Sequence, residues 1–407
     1  MTNSPHARWL SLIGIGEDGF DALSPAACAL LAGAVFIVGG KRHLAMIPPA
    51  IAGKRLAWPS SLTDALPAIL ARRGAPVCVL ASGDPFQYGI GTLLMQHVNA
   101  GEMVCLPAPS AFSLAAARLG WSQQDCALLS LHGRALERIL PVLQPGRRIL
   151  ALSWDGDTPR QLAALLVARG MSGTELIVLE AMGGPRERMR RGRAESFAQD
   201  SIDPLNVVAL QVVAGRGARV LPLTAGLPDN FFEHDGQITK REIRAITLAA
   251  LAPRHGEMLW DIGAGSGSVG IEWMLRDPAN RAIAVERDGE RAARVARNAT
   301  ALGVPDLRVE AGEALAVLPS LPPPDAIFIG GGAGDPALID AALAALRPGA
   351  RLVINAVTLE TQAVLTLRHK AHGGALRLLQ VSHAEPVGHM TGWRAAMPVT
   401  QWEYEAP

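Results

Sequence analysis

A glycine-rich turn set between two acidic residues is the feature of this 407-residue chain best suited to chemistry. The segment LWDIGAGSGSVGIEW (259–273) reads as a strand ending at Asp261, then a turn holding Gly263, Gly265 and Gly267, then a helix opening near Ser268. Glycines let the backbone pass close to a ligand, and the free N–H groups of the helix start are expected to face the same cleft. The next apolar run, AIAVE, ends in Glu286, a carboxylate placed to accept both hydroxyls of a ribose. Further on, Gly312, Glu313 and Ala314 follow a third strand, where an adenine edge could rest on backbone groups.

Two nucleosides compete for this turn. Gly265, Gly267 and Gly270 fit the dinucleotide pattern GxGxxG, which leaves an NAD-dependent oxidoreductase as a rival reading. Asp261 opposes it, because a carboxylate at the mouth of the cleft would meet a pyrophosphate as a like charge. S-adenosylmethionine removes that conflict: it carries no phosphate, and its ammonium group is one a carboxylate attracts.

A second segment, VLASGDPFQYGIGTLLM, places Gly83-Asp84-Pro85 in a tight turn after a buried strand and starts a helix at Tyr88-Gly89. No lysine follows the glycines as in a P-loop, and no GxSxG occurs, so Ser82 and Asp84 are poor candidates for a hydrolytic triad.

The elements that carry these turns fall into two blocks. WLSLIGIG, AVFIVGG, PVCVLASGDP, RRILALSW, LIVLEAM and NVVALQV are short apolar runs alternating with helical stretches, as in α/β layers with buried strands. The second block is more regular. GEMLWDIG, RAIAVE, DLRVE, DAIFIG and RLVINA alternate with helices, the pattern of right-handed βαβ units in one parallel sheet. ALRLLQVSHAE and GWRAAMPVTQWEYE then read as a closing antiparallel pair. The Gly/Pro-rich stretch 214–230 is the expected linker, dividing a domain over 1–213 from one over 231–407.

Charge and composition exclude other classes. With 38 basic against 37 acidic side chains there is no electrostatic footprint for nucleic acid. No apolar run reaches the roughly 18 residues of a membrane span, and the start, MTNSPHARWLSLIGIG, lacks the pattern of a signal peptide. The four cysteines (Cys28, Cys78, Cys105, Cys126) are scattered, which argues against a metal site or disulfides and fits a reducing cytoplasm. Among cationic residues, PRERMRRGRAES carries five arginines (Arg186, Arg188, Arg190, Arg191, Arg193), read chiefly as a solvated loop or helix face and otherwise as forks for carboxylates. His383 and His389 flank the final hairpin and read as structural histidines.

The second block resembles the class I S-adenosylmethionine-dependent methyltransferases. FFEHDGQITKREIRAITLAAL and RLVINAVTLET narrow the likeness to the decarboxylating precorrin methyltransferases of cobalamin synthesis, over about residues 228–407. The resemblance implies donor contacts from Thr239, Asp261, Gly263, Ala264, Gly265, Ser266, Gly267, Glu286 and Ala314. The family often has Asp where Glu286 stands. LSLIGIGEDGF, IVGGKRHL, the GDP segment, LPAPSAFSLAAARLGW and LSLHGR make the first block resemble the tetrapyrrole methylase family over most of residues 8–212. That implies Gly83, Asp84, Tyr88, Ser110 and Ala111 as its donor contacts. Many members read GPGD in the first loop, whereas this chain has Gly14-Ile15-Gly16-Glu17-Asp18.

The two resemblances in tandem imply an N-terminal tetrapyrrole-methylase α/β domain followed by a class I Rossmann-like domain with a mostly parallel sheet and a terminal antiparallel hairpin, with one S-adenosylmethionine site per domain. They imply a bifunctional enzyme that methylates precorrin-6 at carbons 5 and 15 and removes the ring C acetate carboxyl to give precorrin-8. The second domain would act at carbon 15 and decarboxylate, and the first would act at carbon 5. Lys240, Arg244 and His389 are the weak catalytic candidates. A homo-oligomer is expected, with a tetrapyrrole as substrate and no nucleic acid or membrane partner. A tetrapyrrole-binding protein without turnover is the non-enzymatic alternative.

Overall fold

The computed structural model describes residues 8–407; the first seven residues of the segment read above for a signal peptide lie outside it. The chain divides into two compact units at Val220/Leu221, with the short segment Glu137–Pro141 belonging to the second.

The first unit holds two sheets. One is built from β1 (Leu10–Ile15), β2 (Phe36–Gly39), β3 (Lys54–Ala57), β4 (Val77–Ser82) and β5 (Met103–Leu106), all parallel, in the order β3-β2-β4-β1-β5. Their apolar runs are continuous because both faces are covered. β4 sends Val77, Val79 and Ala81 into one core and Cys78 and Leu80 into the other. The other sheet takes β6 (Cys126–Ser130), β7 (Arg148–Leu152), β8 (Glu175–Glu180), β9 (Arg188–Arg193) and β10 (Asn206–Gln211) in the order β6-β7-β10-β8-β9, antiparallel except for β6 against β7.

The second unit is built on a seven-stranded sheet. β11 (Met258–Ile262), β12 (Arg281–Glu286), β13 (Arg308–Ala311), β14 (Ala326–Ile329) and β15 (Arg351–Ala356) are parallel in the order β13-β12-β11-β14-β15. Strand order reverses between β11 and β14, the switch point outside whose strand ends α/β sheets bind ligands. The closing segment is more elaborate than one antiparallel pair. ALRLLQVSHAE breaks into β16 (Ala375–Leu379) and β17 (Ser382–Val387), and GWRAAMPVTQWEYE into β18 (Met390–Ala395) and β19 (Val399–Glu405). β17 and β18 form a separate hairpin, while β19 inserts between β15 and β16. Trp402 explains the insertion: it is fully buried in the core with Leu352 and Ile354 of β15.

Two expectations are corrected here. RMRRGR is neither loop nor helix but the edge strand β9, because Arg188 and Arg190 reach back to the fully buried Glu180 of β8 at 2.7–3.0 Å and Arg191 pairs with Glu175. Tyr88 and Gly89 do not start a helix. Tyr88 has φ +55°, and the helical turn is Gly91–Leu94. Lys240 caps the helix Arg241–Leu251 and lies outside it.

The entry to the second sheet is held by one buried carboxylate. Glu272 accepts N–H bonds from Gly226 and Leu227 and a 2.6 Å bond from Arg244 Nε. Arg244, with no exposed surface, also binds Asp229 and the carbonyls of Leu227 and Thr239. Arg244 is thus spent on structure, which corrects its candidacy for catalysis. Removing one partner of such a buried pair costs about 3–5 kcal/mol. Glu272→Ala is therefore expected to lower the calorimetric melting transition of the second unit while leaving that of the first in place.

Candidate functional sites

Each unit carries one large cavity at the C-terminal ends of its parallel strands. The first, of about 580 Å³, is lined from the strand ends by Gly83 and Asp84, by Tyr88, and by Ser110 and Ala111. The second sheet of the unit closes it with residues such as Trp154, Leu179 and Asn206. Its floor is a backbone-to-backbone approach. Gly83 donates to Ile15 O and accepts from Ala108 N. A Cβ on Gly14 would lie 2.0 Å from Gly83 O and 2.3 Å from Ala108 N. Ser110 caps the helix Ala111–Leu119 by accepting from Ser113 N. Asp84 accepts from Phe86 N, which shapes the turn. Tyr88, half-exposed, donates to Leu128 O and meets Phe112 edge-on. A non-glycine residue in the left-handed region stores about 1 kcal/mol or more and persists only where its surroundings hold it.

Residues given no role from sequence also line this cavity. Glu17 is ion-paired with Arg42 and Arg186. His43 is buried, with Nε2 3.0 Å from Arg42 Nη2 and 3.1 Å from Ser82 Oγ. Burial, and then the charge of Arg42, push the His43 imidazole down to about 4. The GGKRHL motif marked this loop, but nothing in one dimension said that His43 would turn under the end of β4.

The second cavity, about 1060 Å³, is lined by Thr239, Lys240, Gly263, Ala264, Gly265, Glu286 and Ala314. Asp261, Ser266 and Gly267 do not line it. Along β11 side chains alternate, so Trp260 and Ile262 enter one core and Asp261 points to the opposite face. There its Oδ2 accepts from Gly270 N at 2.8 Å, and Oδ1 is buried without a partner among the described residues. Ser266 is likewise buried, and a Cβ on Gly267 would press within 2.6 Å of Val295. Asp261 is thus beneath the turn, not at the cavity mouth.

The N–H groups of Gly263, Ala264, Gly265, Gly267 and Gly270 are engaged within the chain, which corrects that part of the expectation of free donors. Gly263 and Ala264 donate to Val285 O, Gly267 to Ala264 O and Gly270 to Asp261. Gly265 donates to Glu286 Oε2 at 2.9 Å, and the other carboxylate oxygen accepts from Asp288 N. A pyrophosphate would find a carboxylate where it needs donors. This geometry argues against the dinucleotide reading more directly than the position of Asp261 did.

Beyond the turn, His383 lines the cavity as an exposed side chain, so it is not a satisfied structural histidine. His389 sits in the turn of the β17–β18 hairpin and lines no part of it. Lys240 has Asp229 at 3.9 Å. Asn355, which the sequence did not single out, also lines the wall. It donates to Thr247 and accepts from Gln401 at 3.0 Å, tying β15, β19 and the helix Arg241–Leu251 together. Among the described residues no cluster could hold a metal ion, and no helix is long and apolar enough to cross a membrane.

Two α/β units, each with a cavity at its parallel strand ends and a glycine turn beside it, define a tandem of methyltransferase folds. Residues 10–198 match the family model of tetrapyrrole (corrin/porphyrin) methylases, and residues 230–406 that of the precorrin methyltransferase domain. A precorrin-6Y C(5,15)-methyltransferase [decarboxylating] from Sinorhizobium sp is 54% identical over 97% of this chain and 96% of its own length. Two shorter relatives each cover less than half of the chain. A cobalt-precorrin-7 C(5)-methyltransferase from Salmonella typhimurium is 34% identical over 44% of this chain and 88% of its own. A probable cobalt-precorrin-6B C(15)-methyltransferase (decarboxylating) from Pyrobaculum calidifontis is 39% identical over 34% of this chain and 73% of its own. The chain belongs to the family of decarboxylating precorrin-6Y C(5,15)-methyltransferases, and it is a methyltransferase.

Two measurements follow from this geometry. Burial, opposed by the Gly270 bond and reinforced by Glu286, raises the Asp261 carboxyl to about 7. In an unfolded chain an aspartate titrates near about 4, so the folded state holds the proton more tightly. That contribution to stability is complete below about pH 4 and is lost as pH rises through 7. Asp261→Asn should therefore melt the second unit at nearly the same temperature at pH 5 and pH 8, where the parent loses stability. In the first unit, Gly14→Ala should force β1, β4 and the 107–110 loop apart and lower that unit's melting transition, as calorimetry would read.

Proposed function

We propose that each cavity binds one S-adenosylmethionine, and that the two units act on one precorrin-6-type tetrapyrrole. The second methylates carbon 15 and removes the ring C acetate carboxyl; the first methylates carbon 5. The observation that carries the donor assignment is Glu286 against Gly265 N: beside the glycine turn it offers a ribose an acceptor and a phosphate a like charge. Two relatives that each cover less than half of this chain support two separable activities, since one is named for carbon 5 and the other for carbon 15.

The bound donor supplies an electrophilic methyl group on sulfur, and the chain's own residues hold the acceptor carbon in line with it. Such alignment can supply about 7–11 kcal/mol of the barrier. In the second unit Glu286 would hold the ribose and the backbone at Gly312–Ala314 the adenine. At about 1060 Å³ the cavity has room for a macrocycle beside the donor, and Lys240 and His383 on its wall can meet substrate carboxylates. Methylation of an enamine-like carbon leaves the ring cationic. Electrons of the acetate C–C bond then flow into the ring as carbon dioxide departs.

The test is mass spectrometry of the product from a precorrin-6 substrate and isotope-labelled donor, with donor stoichiometry measured alongside. Two labelled methyls gained, one carbon dioxide lost and two donor equivalents per chain are expected. An oxidoreductase binds no donor, and a binding protein without turnover gives no mass change. Glu286→Ala should weaken donor binding at one of the two sites by about tenfold or more, the loss of a charge-assisted hydrogen bond.

A further inference from the structure

Methyl transfer to a methine carbon that ends conjugated must release a proton. The carbon begins with one hydrogen and finishes with a methyl in its place, so the reaction at carbon 5 needs a proton acceptor in the first unit's cavity. This inference rests on the carbon 5 reading above and deepens it.

The cavity wall carries a fitting arrangement. Ser82, the last residue of β4, is exposed into it and immediately precedes the Gly83-Asp84 turn. Behind it lies His43, 7% exposed, on the helix Lys41–Met46. Arg42 Nη2, His43 Nε2 and Ser82 Oγ form a triangle with sides of 3.0, 3.1 and 3.2 Å. A guanidinium only donates, so Nε2 must accept, and the proton of the neutral ring sits on Nδ1. Nδ1 is buried without a partner among the described residues. The single Nε2 lone pair is shared between Arg42 Nη2–H and the Ser82 hydroxyl, whose oxygen also accepts from Arg42 and keeps a lone pair for the cavity. Glu17 holds Arg42 from the other side. Asp84, which lines the same cavity, accepts from Phe86 N through Oδ1.

We propose that Ser82 and His43 form the proton-accepting pair of the first unit, with Arg42 as the residue that positions them. The methyl–sulfur bond breaks and its electron pair stays on sulfur. The ring's enamine pair forms the new carbon–carbon bond, and a ring nitrogen becomes iminium. The pair of the remaining C–H bond then returns to the ring and restores its conjugation. The proton passes to Ser82 Oγ as the Ser82 hydroxyl proton moves to His43 Nε2. An imidazolium beside Arg42 is disfavoured, so the ring gives its proton to solvent and is reset to the neutral form. Burial first, and then the charge of Arg42, depress the imidazole to about 4, which keeps the ring neutral at ordinary pH. A weak base suffices, because a C–H next to an iminium is acidic.

The experiment compares the full-length protein with Ser82→Ala, His43→Gln and Ser82→Thr. Carbon 5 methylation is followed by mass spectrometry with substrate carrying hydrogen or deuterium at that carbon. General-base assistance is worth roughly 10²–10⁴-fold. Ser82→Ala and His43→Gln should lower kcat by about 100-fold, with KM for the donor and calorimetric donor binding within twofold of the parent. The deuterium isotope effect should grow in both. Ser82→Thr keeps the hydroxyl and should stay within about threefold of the parent. Ser82 is exposed, so its alanine variant tests the idea even if His43→Gln does not fold. Unchanged kcat in Ser82→Ala, or a loss confined to KM with no isotope effect, would overturn the pair. A parent enzyme that forms no carbon 5 product overturns the carbon 5 reading itself.

Discussion

Both cavities depend on a place where backbone meets backbone with no Cβ between. In the first unit it is Gly14 against Gly83 and Ala108. In the second it is Gly263, whose Cβ would sit 2.8–2.9 Å from Gly331. Parallel strands bring their ends together at one edge, and a cavity opens there only if the loops leaving them can pass closely and turn sharply. Gly263 has φ +68° and Gly83 +57°, conformations that other residues adopt at a cost. Strand packing supplies the walls, and these contacts set where the walls part.

The two units use charge differently around that shared constraint. In the second, carboxylates are internal struts: Glu272 gathers Arg244 and two N–H groups, Asp261 braces the helix Ser268–Arg276, and Glu286 holds Gly265. Only Glu286 also faces the cavity. In the first, arginines do the bracing. Arg42 and Arg186 converge on Glu17, while Arg188 and Arg190 converge on Glu180. The first loop, which departs from GPGD, thus has its acidic side chain neutralised within the unit.

The strands were readable because burial on both faces leaves continuous apolar runs, as in VCVLAS and RAIAVE. β9 was not, because RMRRGR carries no apolar alternation; its pairing depends on Glu180 and Glu175 of the neighbouring strand. The closing segment read as one antiparallel pair for the opposite reason. Its alternation is clear, but the break near 380 and the insertion of β19 beside β15 follow from where Trp402 finds a core. The glycine turns were visible as patterns. The direction of Asp261 was not, since a shift of one residue along a strand exchanges cavity for interior.

By itself the sequence determined the two-block α/β organisation, the glycine turns at strand ends and the family, because these rest on local periodicity and on residue types whose chemistry is context-free. Tertiary structure decided which polar groups are available. Arg244 is consumed by Glu272, and the arginines of β9 by β8 and its neighbours. The N–H groups of the turn's glycines are engaged internally, while His43 and Ser82 meet although 39 positions apart. Whether a side chain meets a ligand or a strut depends on the groups folding brings against it, and those contacts are long-range.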